Sequence, residues 1–196
     1  MHKPQSHSLE AQRAEFAQRR FLAMPLAGTL AWALIAVVGA TCSVRTAVLT
    51  LYLATGAIFY LGLLIARFTG EDLLGRRRPA NSFDRLFMFG MLQAVLVFAI
   101  ALPFGMQDAS SLPMSIGILA GLMWLPFSWI IQHWIGVAHT LARTALILLA
   151  WLCFPGQRFV LIPALVVLVY LATMLVLEAR WRRRLPSIPP QPQFAA

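Results

Sequence analysis

The residues best placed to do chemistry in this chain lie between positions 136 and 144, where Gly136, His139, Thr140, Arg143 and Thr144 recur at spacings of one, three and four. At 100° per residue a helix gathers them into an arc of about 140°. Leu141, Ala145, Leu148, Leu149 and Leu152 then take the opposite side. A guanidinium flanked by hydroxyls and an imidazole suits an anion, because the planar five-donor fork of arginine matches a carboxylate or a phosphate. Gln93 and Trp124 are the other polar or amphipathic residues of apolar stretches that could complete such a site.

Arg143 is also the residue that most needs explaining. It lies near the middle of an apolar run, where a guanidinium costs about 2.5 to 3.5 kcal/mol on insertion scales, and no Asp or Glu falls inside any of the apolar runs. Two readings stay open. In the first, a ligand anion, either a substrate carboxylate or a lipid phosphate, neutralises Arg143. In the second, Arg143 is structural, bonded to helix carbonyls, to Thr144 or to Gln93, as the polar glue of a helix bundle. His139, one turn away, invites a proton relay, but a relay also calls for a carboxylate, so one ordinary hydrogen bond is the simpler expectation.

Other chemistries lack their parts. The membrane histidines His133 and His139 sit close to a single span, so one chain does not supply two facing haem ligands. His133 lies among Trp129, Gln132 and Trp134 and reads as part of an interfacial aromatic belt. His-Glu-x-x-His, Cys-x-x-Cys and Gly-x-Ser-x-Gly are absent from the sequence, so no metal, no cofactor and no catalytic residues are expected, and the chain is not read as an enzyme.

The elements that must position this stripe follow from composition. The chain has 196 residues, 60% of them hydrophobic and 12% charged, against about a quarter charged in soluble domains. A bilayer core of about 30 Å needs about 20 apolar residues as helix. Six such runs occur, at about 21–44, 47–68, 86–103, 112–131, 134–154 and 159–177. The expected fold is therefore all-α, a six-helix transmembrane bundle in one domain, with an N-terminal segment 1–20 and a basic, then Pro-rich tail 178–196. The first run is longer than the 7 to 15 residues of a signal-peptide core and is expected to be retained.

Net charge is +9, which in a soluble protein would suggest nucleic acid. Here the cations sit at helix ends instead. Lys3, Arg13, Arg19 and Arg20, then Arg67, Arg76, Arg77, Arg78 and Arg85, then Arg180, Arg182, Arg183 and Arg184 share one side of the predicted topology, against Arg45 and Arg158 on the other. The positive-inside rule puts both termini in the cytoplasm. Arg76, Arg77, Arg78, Arg180, Arg182, Arg183 and Arg184 are expected to meet anionic headgroups, each worth about 1 kcal/mol near the surface.

Gly117 and Gly121 form Gly-x-x-x-Gly, with Ser128 on nearly the same face, a signature of close helix packing within a chain or between chains. Pro126 should kink that span and free a carbonyl. Cys42 and Cys153 fall at the same outer end, where a disulfide is allowed by topology and free thiols are the simpler expectation.

Two stretches carry a resemblance. Residues Arg78-Pro79-Ala80-Asn81-Ser82-Phe83-Asp84-Arg85-Leu86 lead into the third run, and Leu122-Met123-Trp124-Leu125-Pro126-Phe127-Ser128-Trp129 lie in the fourth. They resemble a family of small, uncharacterised bacterial multi-span membrane proteins, with an Asn-Pro-Leu motif at the third span and a His-Phe-Leu-Pro-Tyr-Gly-Trp-like motif in the fourth. This chain departs from both, since Ala80 and Ser82 flank Asn81 and Trp124 stands in place of the His. The resemblance implies a bacterial inner membrane and no particular activity. The functional expectation is a polar interior around Arg143, His139, Gln93 and Trp124 that binds or passes an anionic or lipid-like ligand. The alternative is a subunit that associates with itself or another membrane protein through small-residue faces.

Overall fold

The computed structural model describes residues 8–75 and 78–184. All regular structure among them is helical: α1 (Leu9–Ala17), α2 (Ala23–Thr41), α3 (Val44–Thr69), α4 (Ser82–Leu96), α5 (Phe98–Gln107), α6 (Leu112–Gly121), α7 (Trp124–Ile131), α8 (Ile135–Cys153) and α9 (Arg158–Arg182). Two single 3-10 turns, Ala109–Ser111 and Pro155–Gln157, open the fourth and sixth spans. Six helical segments are long and apolar enough to cross a membrane: α2, α3, α4 with α5, Ala109–Ile131, α8 and Pro155–Arg182. Arg76, Arg77 and the tail beyond Arg184 lie outside the described residues.

The ends of these helices are set by particular residues. The Ser43 hydroxyl accepts from Thr46 N at 3.3 Å and starts α3; Gly70, at φ +73°, ends it in the left-handed conformation glycine adopts without strain. Asn81 starts α4 by accepting from Phe83 N at 2.9 Å, and its amide donates to Gln12 O at 2.7 Å, tying α1 to the bundle. The third span begins four residues before the apolar run does, because this cap, not hydropathy, fixes the first turn.

The fourth span is broken at Leu122–Met123, one turn ahead of Pro126, which cannot donate to the Leu122 carbonyl. Leu125 N bonds to Leu122 O at 3.1 Å instead. The Gly121 carbonyl, freed by the break, accepts from the Thr140 hydroxyl of α8 at 3.2 Å. The kink thus converts a lost backbone bond into an interhelical one.

In the bundle α2 packs between α3 and α9, while α8 packs on α9, α6 and α7. Helix α1 lies across one end against α4 and α7. Since lipid tails give helices no hydrophobic reason to associate, close backbone approach matters. A Cβ on Gly136 would stand 2.3 Å from Trp124 O, and one on Gly117 would stand 2.8 Å from the end of Ile147. The Gly-x-x-x-Gly face is therefore used within the chain, and Ser128 joins it, donating to His133 O at 2.5 Å.

Charges collect at the two ends. At the α1 end, Arg19 pairs with Asp84 and with Glu15 at 3.1 Å, Arg78 with Glu15 at 3.1 Å and Arg20 with Glu178 at 2.9 Å. At the far end Arg158 donates to Ser110 Oγ at 2.6 Å and to Trp151 O at 3.2 Å. Cys42 and Cys153 are free and exposed.

Candidate functional site

Helix α8 presents its two faces as its sequence pattern dictates. Gly136, His139, Thr140 and Arg143 are buried, whereas Leu141, Ala145, Leu148, Leu149 and Leu152 are exposed on the lipid side. Arg143 is 1% exposed. Its Nε and both terminal nitrogens have no hydrogen-bond partner. What it has instead are rings: the guanidinium carbon lies 5.5 Å from the centre of Trp32 on α2 and 5.3 Å from that of Tyr170 on α9. A Cβ on Gly121 would press on the Arg143 side chain at 3.0 Å, so the first glycine-free alternative at that position would compete with the arginine for space.

His139 completes the cluster. Its ring stacks on Trp124 at 4.2 Å and meets Tyr170 edge-on at 5.1 Å. Its Nδ1 shares a 2.8 Å hydrogen bond with the Thr173 hydroxyl, which itself donates to Val169 O at 2.7 Å. With that hydroxyl proton committed to Val169, the imidazole is the donor to Thr173, and Nε2 carries a buried lone pair without a partner.

Arg143 forms the inner wall of a cavity of about 370 Å³. The rest of the wall is aromatic and sulfur-rich, with Trp32, Trp124 and Phe127 beside Met24, Met88, Met91 and Met123. A second, polar cavity of about 650 Å³ lies at the α1 end, bordered by Glu15, Arg19, Arg20, Arg78, Asn81 and Asp84. The two share Phe21, Glu71, Leu73 and Phe87, which therefore stand between them. Glu71 accepts from Leu22 N at 3.0 Å and Ala23 N at 2.9 Å, capping α2. Burial pushes its carboxyl above the usual range, against the pull of those bonds.

Of the four residues expected around a ligand, Arg143, His139 and Trp124 meet here, and Gln93 does not: it is exposed on the outer face of α4. Among the basic residues, Arg180 is turned inward, 6% exposed, donating to Ala17 O and to Ile131 O at 3.3 Å. It thereby ties together carbonyls at the ends of α1 and α7. Arg184 donates to Ala17 O at 3.0 Å, Arg182 pairs with Glu178 at 2.8 Å, and Arg78, Arg182, Arg183 and Arg184 are exposed. Among the described residues no three His, Cys, Asp or Glu come together as metal ligands.

Sequence reasoning missed Trp32, Tyr170, Thr173 and Glu71. Tyr170 and Thr173 had a legible signal, two polar groups three apart in an otherwise apolar helix. Trp32 had none, since a tryptophan in an apolar run is ordinary.

These features define an all-helical bundle with six segments long and apolar enough to cross a membrane, whose interior holds a buried cation beside a cavity. The chain belongs, over residues 9–180, to the family of unknown function DUF7010. No curated protein and no solved structure matches the chain.

Proposed function

We propose that this protein binds an anionic, lipid-like ligand in its interior, with Arg143 as the anion's partner, for passage or handling of that ligand and not for catalysis. The observation that carries the reading is a guanidinium 1% exposed, on a cavity wall, with its three nitrogens unpartnered. Each buried donor left unmade costs about 1 to 3 kcal/mol, and a bidentate oxyanion satisfies two at once. His139 and Thr140 hold α8 in register through bonds to α9 and to the kink, and so fix where the guanidinium sits.

A second reading has its own observation. Trp32 and Tyr170 both present rings to Arg143, and cation–π contacts reach about 2 kcal/mol when desolvated. Arg143 would then be a clamp joining α2, α8 and α9. Native mass spectrometry and thermal unfolding of wild type beside Arg143→Met separate the two. The ligand reading expects a stoichiometric anion on the wild type that is lost from the variant. Bare protein in both cases, with a marked fall in unfolding temperature for Arg143→Met, overturns it in favour of the clamp.

We place the protein in a bacterial inner membrane with both termini in the cytoplasm. The support is the concentration of Arg at the α1 end, where Arg78, Arg182 and Arg183 are exposed, Arg78 and Arg182 also pairing with Glu15 and Glu178. Association with itself or with another membrane protein would have to use faces other than Gly117 and Gly121, which pack inside the chain.

A further inference from the structure

The cavity below Arg143 has its rim at hydrocarbon depth. Tyr60 on α3 and Leu92 and Val95 on α4 line it, yet they are 72%, 52% and 63% exposed on the outside of the bundle. A residue on both surfaces marks an edge. These positions lie well inside their spans, Val44–Thr69 and Ser82–Gln107, so the edge faces acyl chains and not water. The two spans touch at Tyr52 and Phe98, ring centres 6.1 Å apart, nearer the far end. Below that contact, a Cβ on Gly56, another wall residue, would meet nothing within 4 Å.

The shape and chemistry of the space narrow what fits. A cavity of about 370 Å³ lies at the small end of ligand pockets, room for one chain and not two. Methionines adapt to a flexible chain, and the one cation on the wall, Arg143, is 1% exposed. We propose that the site takes a single-chain amphiphile with a compact oxyanion head, carboxylate or phosphate monoester, which slides in from the bilayer between α3 and α4 head first. The proposal rests on the reading of Arg143 as an anion site. Because Trp32 and Tyr170 cover the guanidinium, the head must part those rings, and Trp32 and Trp124 report its arrival.

The full-length protein in phosphatidylcholine nanodiscs is titrated with 12-bromododecanoate, 12-bromododecyl phosphate and the methyl ester of the former, following tryptophan quenching. Saturable quenching by at least one of the two anions is expected, and the tighter one names the head. The ester, and either anion on Arg143→Gln, should bind at least tenfold more weakly. Gly56→Phe, an exposed helical position whose folding is checked by circular dichroism, should likewise bind at least tenfold more weakly. An ester as tight as the acid overturns the oxyanion head, and wild-type binding by Gly56→Phe overturns the lateral route. If neither brominated anion saturates while native mass spectrometry still finds an Arg143-dependent anion, the ligand class fails and the anion site stands. If no Arg143-dependent anion is found either, both fail together.

Discussion

Two glycines and two arginines show how far identical residue types diverge with their surroundings. At Gly136 an added methyl meets the Trp124 carbonyl and the Ser128 side chain, at 2.3 and 2.6 Å, and backbone cannot yield cheaply. Gly136→Ala should lower stability by about 1 to 3 kcal/mol and loosen the seat of His139. Gly56→Ala meets nothing and should raise stability by up to about 1 kcal/mol through helix propensity alone. Thermal unfolding in detergent compares them, and equal shifts would refute the packing argument. The same experiment tests the arginines. Arg180→Met leaves the Ala17 and Ile131 carbonyls without this donor and should cost about 1 to 3 kcal/mol, whereas Arg183→Ala, at an exposed position, should change stability by less than about 0.5 kcal/mol.

Helix α1 is held by charge more than by apolar burial, for only Phe16 and Ala17 of its nine residues are buried. Its anchor is Glu15, bonded to Arg19, Arg78 and Asn81. Burial works to raise the Glu15 carboxyl, but the bonds from Arg19 and Asn81 prevail and hold it below the ordinary carboxylate range. A carboxyl depressed in the folded state contributes stability that is present above its unfolded pKa and lost as pH falls through the folded one. Helix α1 should therefore lose amide protection, read as exchange relative to the intrinsic rate at each pH, as pH drops below about 4, before α8 and α9 do. Glu15→Gln should show lower protection already at pH 7 and lose the pH dependence of that protection. Unaltered exchange would mean that Phe16 alone, packed on Phe21 at 5.1 Å, holds the helix. Glu71 runs the other way: its raised carboxyl favours the folded state as pH falls, so it offsets part of the acid destabilisation.

The orientation of the bundle can be read with its own thiols. Cys42 follows α2 and Cys153 ends α8, both exposed at the end away from α1. With the basic end in the cytoplasm, a membrane-impermeant maleimide should label both in intact cells. Labelling only after permeabilisation would invert the topology. The number of helices long and apolar enough to cross a membrane and the inward face of α8 were legible in the chain, because a bilayer calls for about 20 apolar residues and penalises buried charge, and both constraints act on each helix by itself. The cap at Asn81 and the break ahead of Pro126 were partly legible, being local chemistry. What surrounds Arg143 was not. Gln93 and Trp32 are equally plausible neighbours in one dimension, and only the way α2, α8 and α9 close on one another sent Gln93 to the outer face of α4 and brought Trp32 and Tyr170 over the guanidinium. Arg180 makes the same point: its sequence neighbours are surface cations, but the carbonyls it satisfies belong to α1 and α7, brought within reach by the tertiary fold alone. Sequence periodicity specifies which face of a helix turns inward, since that depends on one helix and its solvent; which residues meet there depends on pairwise helix packing, which the sequence encodes only collectively.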